Sequence, residues 1–243
     1  MSSEKMIRYD EVVVLAMKTL KARTQSEYRN HYIELSSCAL WEKGDHINLW
    51  TYWQGYQIKD IDRKGVDILL VGQDWGNPDN DPVVCRNIEH IQAGDKEAFY
   101  LSNASATDRN LIELFKIIGC DITKNDPGKR IFFTNYSLGY RKGFETGGMT
   151  KGLMKKDREL FEKLVAAVKP KIIICLGKIT FEMVSNKVAN GFLKKLKGGE
   201  PFKAQYPFNG DIIVYGVAHC GARGVSNVGG MDTMKKTWKR IEI

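Results

Sequence analysis

The stretch that most constrains the fold lies at residues 67–77 and reads DILLVGQDWGN. Residues 68–71 are apolar without alternation, which is typical of a strand buried on both faces of a parallel sheet. Gly72 ends this run, and Gln73 and Asp74 follow directly. Taken alone, the polar residues are most simply a turn. In open α/β sheets, however, ligands bind just beyond the carboxyl ends of the strands, so this turn is a candidate site.

The same pattern of an apolar run that ends in glycine or polar residues recurs three more times. The runs cover residues 131–133 before Thr134 and Asn135, residues 171–176 before Gly177, and residues 212–217 before Ala218 and His219. Helical spacing of apolar residues predicts helices at about 105–118, 154–168, 178–188 and 232–239. Residues 189–209 are predicted to be an irregular basic connection, and residues 220–230 a glycine-rich loop.

This alternation of strands and helices predicts an α/β protein. The expected architecture has three layers, α/β/α, with a central, mostly parallel four-stranded sheet. Residues 61–243 are predicted to form this domain. Residues 1–60 are predicted to form a helical and aromatic arm packed on it, and the aromatic residues at 41–56 are better explained as buried side chains than as a base-stacking surface.

The charge balance is compatible with a polyanionic partner. The chain carries 37 Lys and Arg against 29 Asp and Glu, a formal net charge of +8. Nucleic acid is one such partner, although each lysine cluster is equally explained as the solvated face of a helix. No apolar run approaches the roughly 20 residues of a membrane helix, and the polar N-terminus has no signal core. A cytoplasmic protein without membrane contact is therefore expected. The five scattered cysteines contain no C-x-x-C pair, which indicates reduced thiols.

Parallel strands bring their carboxyl ends to one edge, so Asp74, Asn135 and His219 are expected to converge there. An Asn amide presents a donor beside an acceptor, which suits the edge of a nucleobase. A His can polarise an oxygen, and an Asp can orient water or stabilise a developing cation. Such a set suits cleavage of the bond between a base and a sugar. Each residue also has a purely structural explanation: a capped turn, a local backbone bond and a core histidine.

Four motifs together resemble the uracil-DNA glycosylase superfamily. They are VGQDWG at residues 71–76, FFTNYSL at 132–138, IIICLGKITFE at 172–182 and VAHCGARG at 217–224. They occur in the family's order within about residues 66–240 and leave the N-terminal arm unmatched. The resemblance implies a uracil-DNA glycosylase-like fold and hydrolysis of the N-glycosidic bond of uracil or a related deaminated base in DNA, as in base excision repair. It implies no cofactor and no metal.

The resemblance also implies a role for each matched residue. Asp74 would position the water and offset the charge on the sugar, and His219 would stabilise the leaving base. Asn135 would bind the uracil-like edge of the base. The implied substrate-binding residues are Gly72, Gln73, Trp75, Gly76 and Asn135. The residues expected to contact a base-flipped DNA substrate are Ser105, Arg141, Lys142, Gly177, Lys178 and Arg223, with Arg223 at the position of the intercalating wedge.

The chain departs from the family's pattern at two motifs. Trp75 and Gly76 stand where the main class has Pro and the Tyr that excludes the thymine methyl group, so exclusion of thymine is not implied. The usual H-P-S becomes His219, Cys220 and Gly221. Two alternatives therefore stay open: a non-catalytic nucleic-acid or nucleobase-binding protein on the same fold, and a hydrolase of free nucleosides or nucleotides. A monomer is expected.

Overall fold

The structure is a computed structural model that describes residues 11, 12, 14, 15, 32, 33, 65–74, 106–121, 131–137, 140, 141 and 149–243. Within these ranges the strands are β1 (Tyr32–Ile33), β2 (Val66–Gly72), β3 (Ile131–Asn135), β4 (Tyr140–Arg141), β5 (Pro170–Leu176), β6 (Phe202–Tyr206) and β7 (Asn209–Val217). The helices are α1 (Ala106–Ile117), α2 (Lys151–Met154), α3 (Arg158–Val168), α4 (Lys178–Ser185), α5 (Phe192–Lys197), α6 (Ala222–Val228) and α7 (Met231–Trp238), with a 3-10 turn at Lys155–Asp157.

The central sheet has five strands in the order β3-β2-β5-β7-β6. The first four strands are parallel, and β6 pairs antiparallel with β7. The predicted α/β class with a mostly parallel central sheet is confirmed, but the prediction of four strands was wrong. The missed strand β6 alternates between partly buried Phe202 and Ala204 and exposed Lys203 and Gln205. An edge strand of this kind lacks the continuous apolar run that marks a strand buried on both faces.

Three predicted segments need correction because local bonding outweighs their composition. The basic connection at 189–209 contains α5 and β6, and the glycine-rich loop at 220–230 contains α6. The helix predicted at 154–168 is instead α2, the 3-10 turn and α3 in succession. It begins earlier than predicted because the Thr150 hydroxyl accepts a hydrogen bond from the Leu153 N–H at 3.2 Å and caps α2.

Helical and C-terminal segments cover both faces of the sheet. On one face, Phe181 of α4 packs directly over Gly216 of β7. The next residue back along the strand, Tyr215, points to the other face, where its hydroxyl accepts a hydrogen bond from the Glu242 N–H at 3.4 Å. The chain moves from β2 outward to β3 and then back past β2 to β5. Crossovers of the usual right-handed kind place two such connections on opposite faces of a sheet.

The core is centred on β2 and β5, whose apolar residues are almost entirely inaccessible. Val12, in the helical residues near the N-terminus, also belongs to this core. Tyr32 and Ile33 of the predicted arm form β1, which pairs with β4, so the arm is not helical at these two residues. The rest of the predicted arm and the boundary at residues 60 and 61 lie outside the described residues and stay predictions. None of the helices in the described ranges is long and apolar enough to cross a bilayer.

The contact between Gly216 and Phe181 gives a test of the packing of α4 on the sheet. A Cβ on residue 216 would lie 2.7 Å from two ring carbons of Phe181. We expect Gly216→Ala to lower the free energy of unfolding by about 1–3 kcal/mol because neither backbone can move away freely. Denaturant unfolding measures the change, and adding Phe181→Leu should recover part of it.

Gly152→Ala is the matched control for this substitution. A Cβ on residue 152 would contact the Thr150 hydroxyl at an ordinary 3.6 Å. Because Gly152 lies in a helix, the alanine should be neutral or stabilising by up to about 1 kcal/mol. Equal stability of Gly216→Ala and the wild type would show that α4 does not pack as closely as the structure indicates.

Candidate functional site

The pairing of β2 with β3 continues past the ends of both strands. Gly72 is in register with Asn135, the last residue of β3. Beyond this pair, the Tyr136 N–H donates to the Gly72 carbonyl at 2.9 Å, and the Ser137 N–H donates to the Gln73 carbonyl at 3.0 Å. The polar turn after β2 is thereby held beside the turn after β3, so the positions of Gln73 and Asn135 are fixed relative to each other.

The Asn135 side chain lies against the backbone of Gly72. A Cβ on residue 72 would collide with the Asn135 Oδ1 atom and would lie 3.2 Å from its Cγ. Asn135 is only 5% exposed. Glycine is therefore required at position 72, because any side chain there would displace the amide from the end of the sheet.

Buried contacts anchor this end of β3 to the start of α3. The Ser137 hydroxyl donates to the Asp157 Oδ2 atom at 2.5 Å, and both residues are fully buried. The Tyr136 ring stacks on Phe161 with 4.6 Å between the ring centroids. These contacts hold the backbone on both sides of Asn135, so its side chain is attached to a rigid support.

Gly177 joins the end of β5 to the start of α4. Its N–H donates to the Val217 carbonyl at 2.7 Å, and its φ of 101° suits glycine alone. Within the described part of the chain, a Cβ on Gly177 would have no atom within 4 Å. No described residue therefore covers the edge of the sheet at this position. The exposed Lys178 follows at the first position of α4.

A buried carboxylate holds the segments beside this opening together. Glu182 of α4 forms an ion pair with Lys151 of α2 and accepts the Ala189 N–H at 2.8 Å. Lys178 lies 3.8 Å from the same carboxylate. Burial would raise the pKa of Glu182, but the hydrogen bonds from Lys151 and Ala189 outweigh it and lower the pKa overall. Glu182 is therefore ionised at neutral pH.

His219 lies two residues beyond the end of β7, and its ring has a defined hydrogen-bonding pattern. The Gly221 N–H donates to the His219 Nδ1 atom at 3.0 Å. The neutral imidazole must then carry its proton on Nε2. Desolvation by the surrounding chain lowers the pKa of His219, although part of the residue stays exposed to solvent. At neutral pH the ring is therefore a neutral donor through Nε2.

The loop that contains His219 is wedged between α1 and α6. The Asn110 side chain of α1 donates to the Cys220 carbonyl at 2.6 Å. A Cβ on Gly224 would collide with the His219 carbonyl oxygen and lie 2.7 Å from its carbon. A Cβ on Gly221 would lie 3.1 Å from the Thr107 hydroxyl oxygen. The glycines let α6 and α1 pack directly on this loop, which fixes the direction of the imidazole.

Cys220 does not form a nucleophile with its neighbour His219. The residue is completely buried, and its thiol lies 3.9 Å from the Ala218 carbonyl. Burial raises the pKa of the Cys220 thiol far above its usual range. The thiol is therefore neutral at physiological pH and lacks the thiolate character that nucleophilic catalysis needs.

Asp74 and His219 lie on opposite sides of the open position at Gly177. Neighbouring strands are about 4.8 Å apart, so the ends of β2 and β7, with β5 between them, are about 10 Å apart. The space beyond the end of β5, which we call the crevice, therefore lies between the segments that carry these two residues. Asp74 is partly buried, with its Oδ2 atom shielded from solvent. The crevice lies where the chain reverses direction across the sheet, which is where open α/β sheets bind ligands.

The structure brings six of the residues predicted from the sequence to this edge, namely Gly72, Gln73, Asp74, Asn135, Gly177 and His219. Lys178 is exposed next to Gly177, and Arg223 is exposed in the first turn of α6. Arg141 belongs to β4, which pairs with β1. Trp75, Gly76, Ser105 and Lys142 lie outside the described residues. The roles of all these residues stay predictions.

The sequence interpretation missed the residues that support the site. Asp157 and Glu182 are acidic residues at helical positions, where a solvated carboxylate is the usual expectation. The only sequence signal for Gly224 was its place in a glycine-rich segment. Among the described residues, no group of three or more His, Cys, Asp or Glu is placed to hold a metal ion.

Comparison with models of known protein families finds no match to this sequence, and comparison with curated proteins finds none either. The interpretation of the site therefore depends on its geometry.

The imidazole gives a prediction about pH. Because desolvation lowers the pKa of His219, we expect NMR titration to give a value below the ordinary 6.5 or so, with nitrogen shifts of the Nε2-protonated form. The folded state then binds fewer protons than the unfolded state between these two pKa values. The resulting stabilisation is complete above about pH 6.5 and is lost as the pH falls through the folded-state pKa.

His219→Gln is the control, because other histidines in the chain also titrate. The difference in unfolding free energy between this variant and the wild type should vary with pH in the window just below 6.5. A proton on Nδ1 would contradict the hydrogen bond from Gly221, and a pKa at or above the ordinary value would contradict the desolvation of the ring.

Proposed function

We propose that the protein is a DNA glycosylase of the uracil-DNA glycosylase superfamily that hydrolyses the N-glycosidic bond of uracil or a related deaminated base. The observation that carries this proposal is the arrangement of Asn135, Asp74 and His219 around the open crevice at Gly177. An amide, a carboxylate and a neutral imidazole that donates through Nε2 follow the ends of β3, β2 and β7 at one edge of the sheet, within about three strand spacings.

Each group suits one part of this reaction. The Asn135 amide offers a donor and an acceptor to the edge of a base that has left the duplex. The Asp74 carboxylate orients a water molecule and offsets the positive charge that develops on the sugar. The His219 Nε2–H donates to an oxygen of the base as negative charge develops there. The bond between the sugar carbon and the base nitrogen breaks, water supplies a hydroxyl to the sugar, and the base takes the proton.

The tautomer of His219 favours this role over general-base catalysis. The Gly221 N–H occupies Nδ1 and the proton is on Nε2, so the ring has no free lone pair for a water proton and instead stabilises the leaving base by a hydrogen bond. The support of Asn135 by Ser137 and Asp157 serves the same reaction, because a fixed amide selects the base by its hydrogen-bonding edge.

The first experiment tests release of uracil. The purified protein is incubated with end-labelled single- and double-stranded oligonucleotides that carry one uracil, and abasic sites are then cleaved with alkali. We expect cleavage by the wild type. Asp74→Asn should lower the rate about 10²- to 10⁴-fold, and His219→Ala about 10²- to 10³-fold. Oligonucleotides with thymine or hypoxanthine at the same position define the range of bases.

Asp211→Asn is the matched control, since it makes the same chemical change at an exposed position near the start of β7. It should cleave like the wild type. Salt-sensitive DNA binding without release of any tested base would favour the non-catalytic binding protein. Hydrolysis of free nucleosides without DNA binding would favour the nucleoside hydrolase.

Substitution of Cys220 separates the proposed mechanism from covalent catalysis. The buried thiol takes no part in the proposed reaction, so Cys220→Ala should keep at least about half of the uracil-release rate, with any loss tracking a modest decrease in stability. Rates and thermal unfolding are measured on the same preparations. A loss of 10²-fold or more in a folded Cys220→Ala protein would point to a thiol nucleophile.

A further inference from the structure

A groove of about 560 Å³ runs between α1 and α7 and has no part in the crevice described above. It is lined by Glu113, Lys116, Ile117, Asp232, Lys235, Lys236 and Lys239. Phe115 and Trp238 pack edge to face beneath it, with 5.3 Å between the ring centroids. We call it the α1–α7 groove. This aromatic contact fixes the two helices relative to each other, so the positions from which the lining side chains project are also fixed.

The α1–α7 groove is basic, with four lysines against two carboxylates. Lys235 pairs with Glu113 at 2.8 Å. Lys116, Lys236 and Lys239 are exposed, and within the described residues no carboxylate lies within ion-pair distance of any of them. Three cations therefore project into or beside one groove without neutralisation by this part of the chain, which favours an anionic ligand.

The lining favours a polyanion bound by charge over a polypeptide bound by apolar contacts. Ile117 is the one apolar residue among those that line the α1–α7 groove. A docked peptide helix is held by a stripe of apolar contacts, and a single isoleucine does not supply such a stripe. A sugar–phosphate backbone needs only cations at intervals, since release of counterions supplies most of its affinity.

One of the two helices that form the α1–α7 groove begins beside the candidate site. The first turn of α1 contacts the His219 loop, since Thr107 lies against Gly221. Lys116 is nine residues further along α1, which corresponds to about 13 Å at 1.5 Å per residue. A nucleic-acid strand with one nucleotide at the crevice reaches this lysine after about four nucleotides at 3.4 Å each.

We propose that the α1–α7 groove binds the sugar–phosphate backbone of the strand that flanks the target nucleotide, about four nucleotides away from it. The choice of a DNA strand as the polyanion rests on the proposed glycosylase function. The groove thus extends the DNA-binding surface from the sheet edge down one face of the protein, and it adds contacts that do not depend on the damaged base.

The test measures binding of the full chain to a 20-base-pair DNA duplex without uracil, across a range of salt concentrations. Lys236→Gln with Lys239→Gln should reduce the magnitude of the slope of log K against log salt by about 0.9 for each phosphate that is no longer neutralised, or about 1.8 in total. The same variant should match the wild type on oligonucleotides too short to extend about four nucleotides past the bound base.

Lys155→Gln with Lys187→Gln is the matched control. It removes the same charge from the 3-10 turn and from the segment after α4, outside the groove, and both lysines are exposed. Circular dichroism checks that both variants are folded. Equal slopes for the two double variants would overturn the proposal. The proposal would also be overturned if the groove variant kept the salt slope of the wild type for DNA but bound polyglutamate more weakly. That result would indicate that the groove binds an acidic polypeptide.

The two proposals fail separately. If DNA binds through the α1–α7 groove but neither uracil nor another base is released, the glycosylase proposal is wrong. The groove is then still a nucleic-acid-binding surface. If uracil is released but the Lys236→Gln, Lys239→Gln variant has an unchanged salt slope, the glycosylase proposal stands and the groove proposal is wrong.

Discussion

The hydrogen bonds that extend the β2–β3 pairing beyond the strands are the constraint on which the rest of the site depends. Parallel strands normally separate into independent loops once their ladder ends. Here the Gly72 and Gln73 carbonyls still accept bonds from Tyr136 and Ser137. The two turns therefore behave as one rigid unit. The Asn135 amide, at the end of β3, is aligned by the backbone at the end of β2. Preorganisation of this kind costs no reordering when a ligand arrives.

Glycine creates the close contacts on both sides of the crevice. Gly72 makes room for the Asn135 amide, and Gly224 lets α6 rest on the His219 carbonyl. In both places the missing side chain brings a chemically active group against backbone, where hydrogen-bonding directions are fixed. The thiol of Cys220 is different. It is completely buried, and burial raises its pKa, so it is unreactive although the neighbouring imidazole is accessible.

The sequence predicted those parts of the fold that depend on burial. β2, β3, β5 and β7 are continuous apolar runs, and the convergence of Asp74, Asn135 and His219 at one edge followed from their parallel order. Features that depend on tertiary partners were missed. β6 is half exposed, α6 forms in a glycine-rich segment, and Asp157 is a buried acceptor for Ser137, a residue 20 positions away. No local pattern encodes such a contact.

The strand that sequence patterns did not predict has a consequence for the protein's behaviour in solution. β6 forms one margin of the sheet, where unpaired backbone groups invite a second chain to add a strand. It is short, carries the exposed Lys203 and shifts register between Gln205 and Tyr206. Pro201 and Pro207 flank it, and neither can donate a backbone hydrogen bond. These features make β6 a poor partner for a strand of a second chain. They thereby protect an otherwise very apolar parallel sheet from edge-to-edge aggregation.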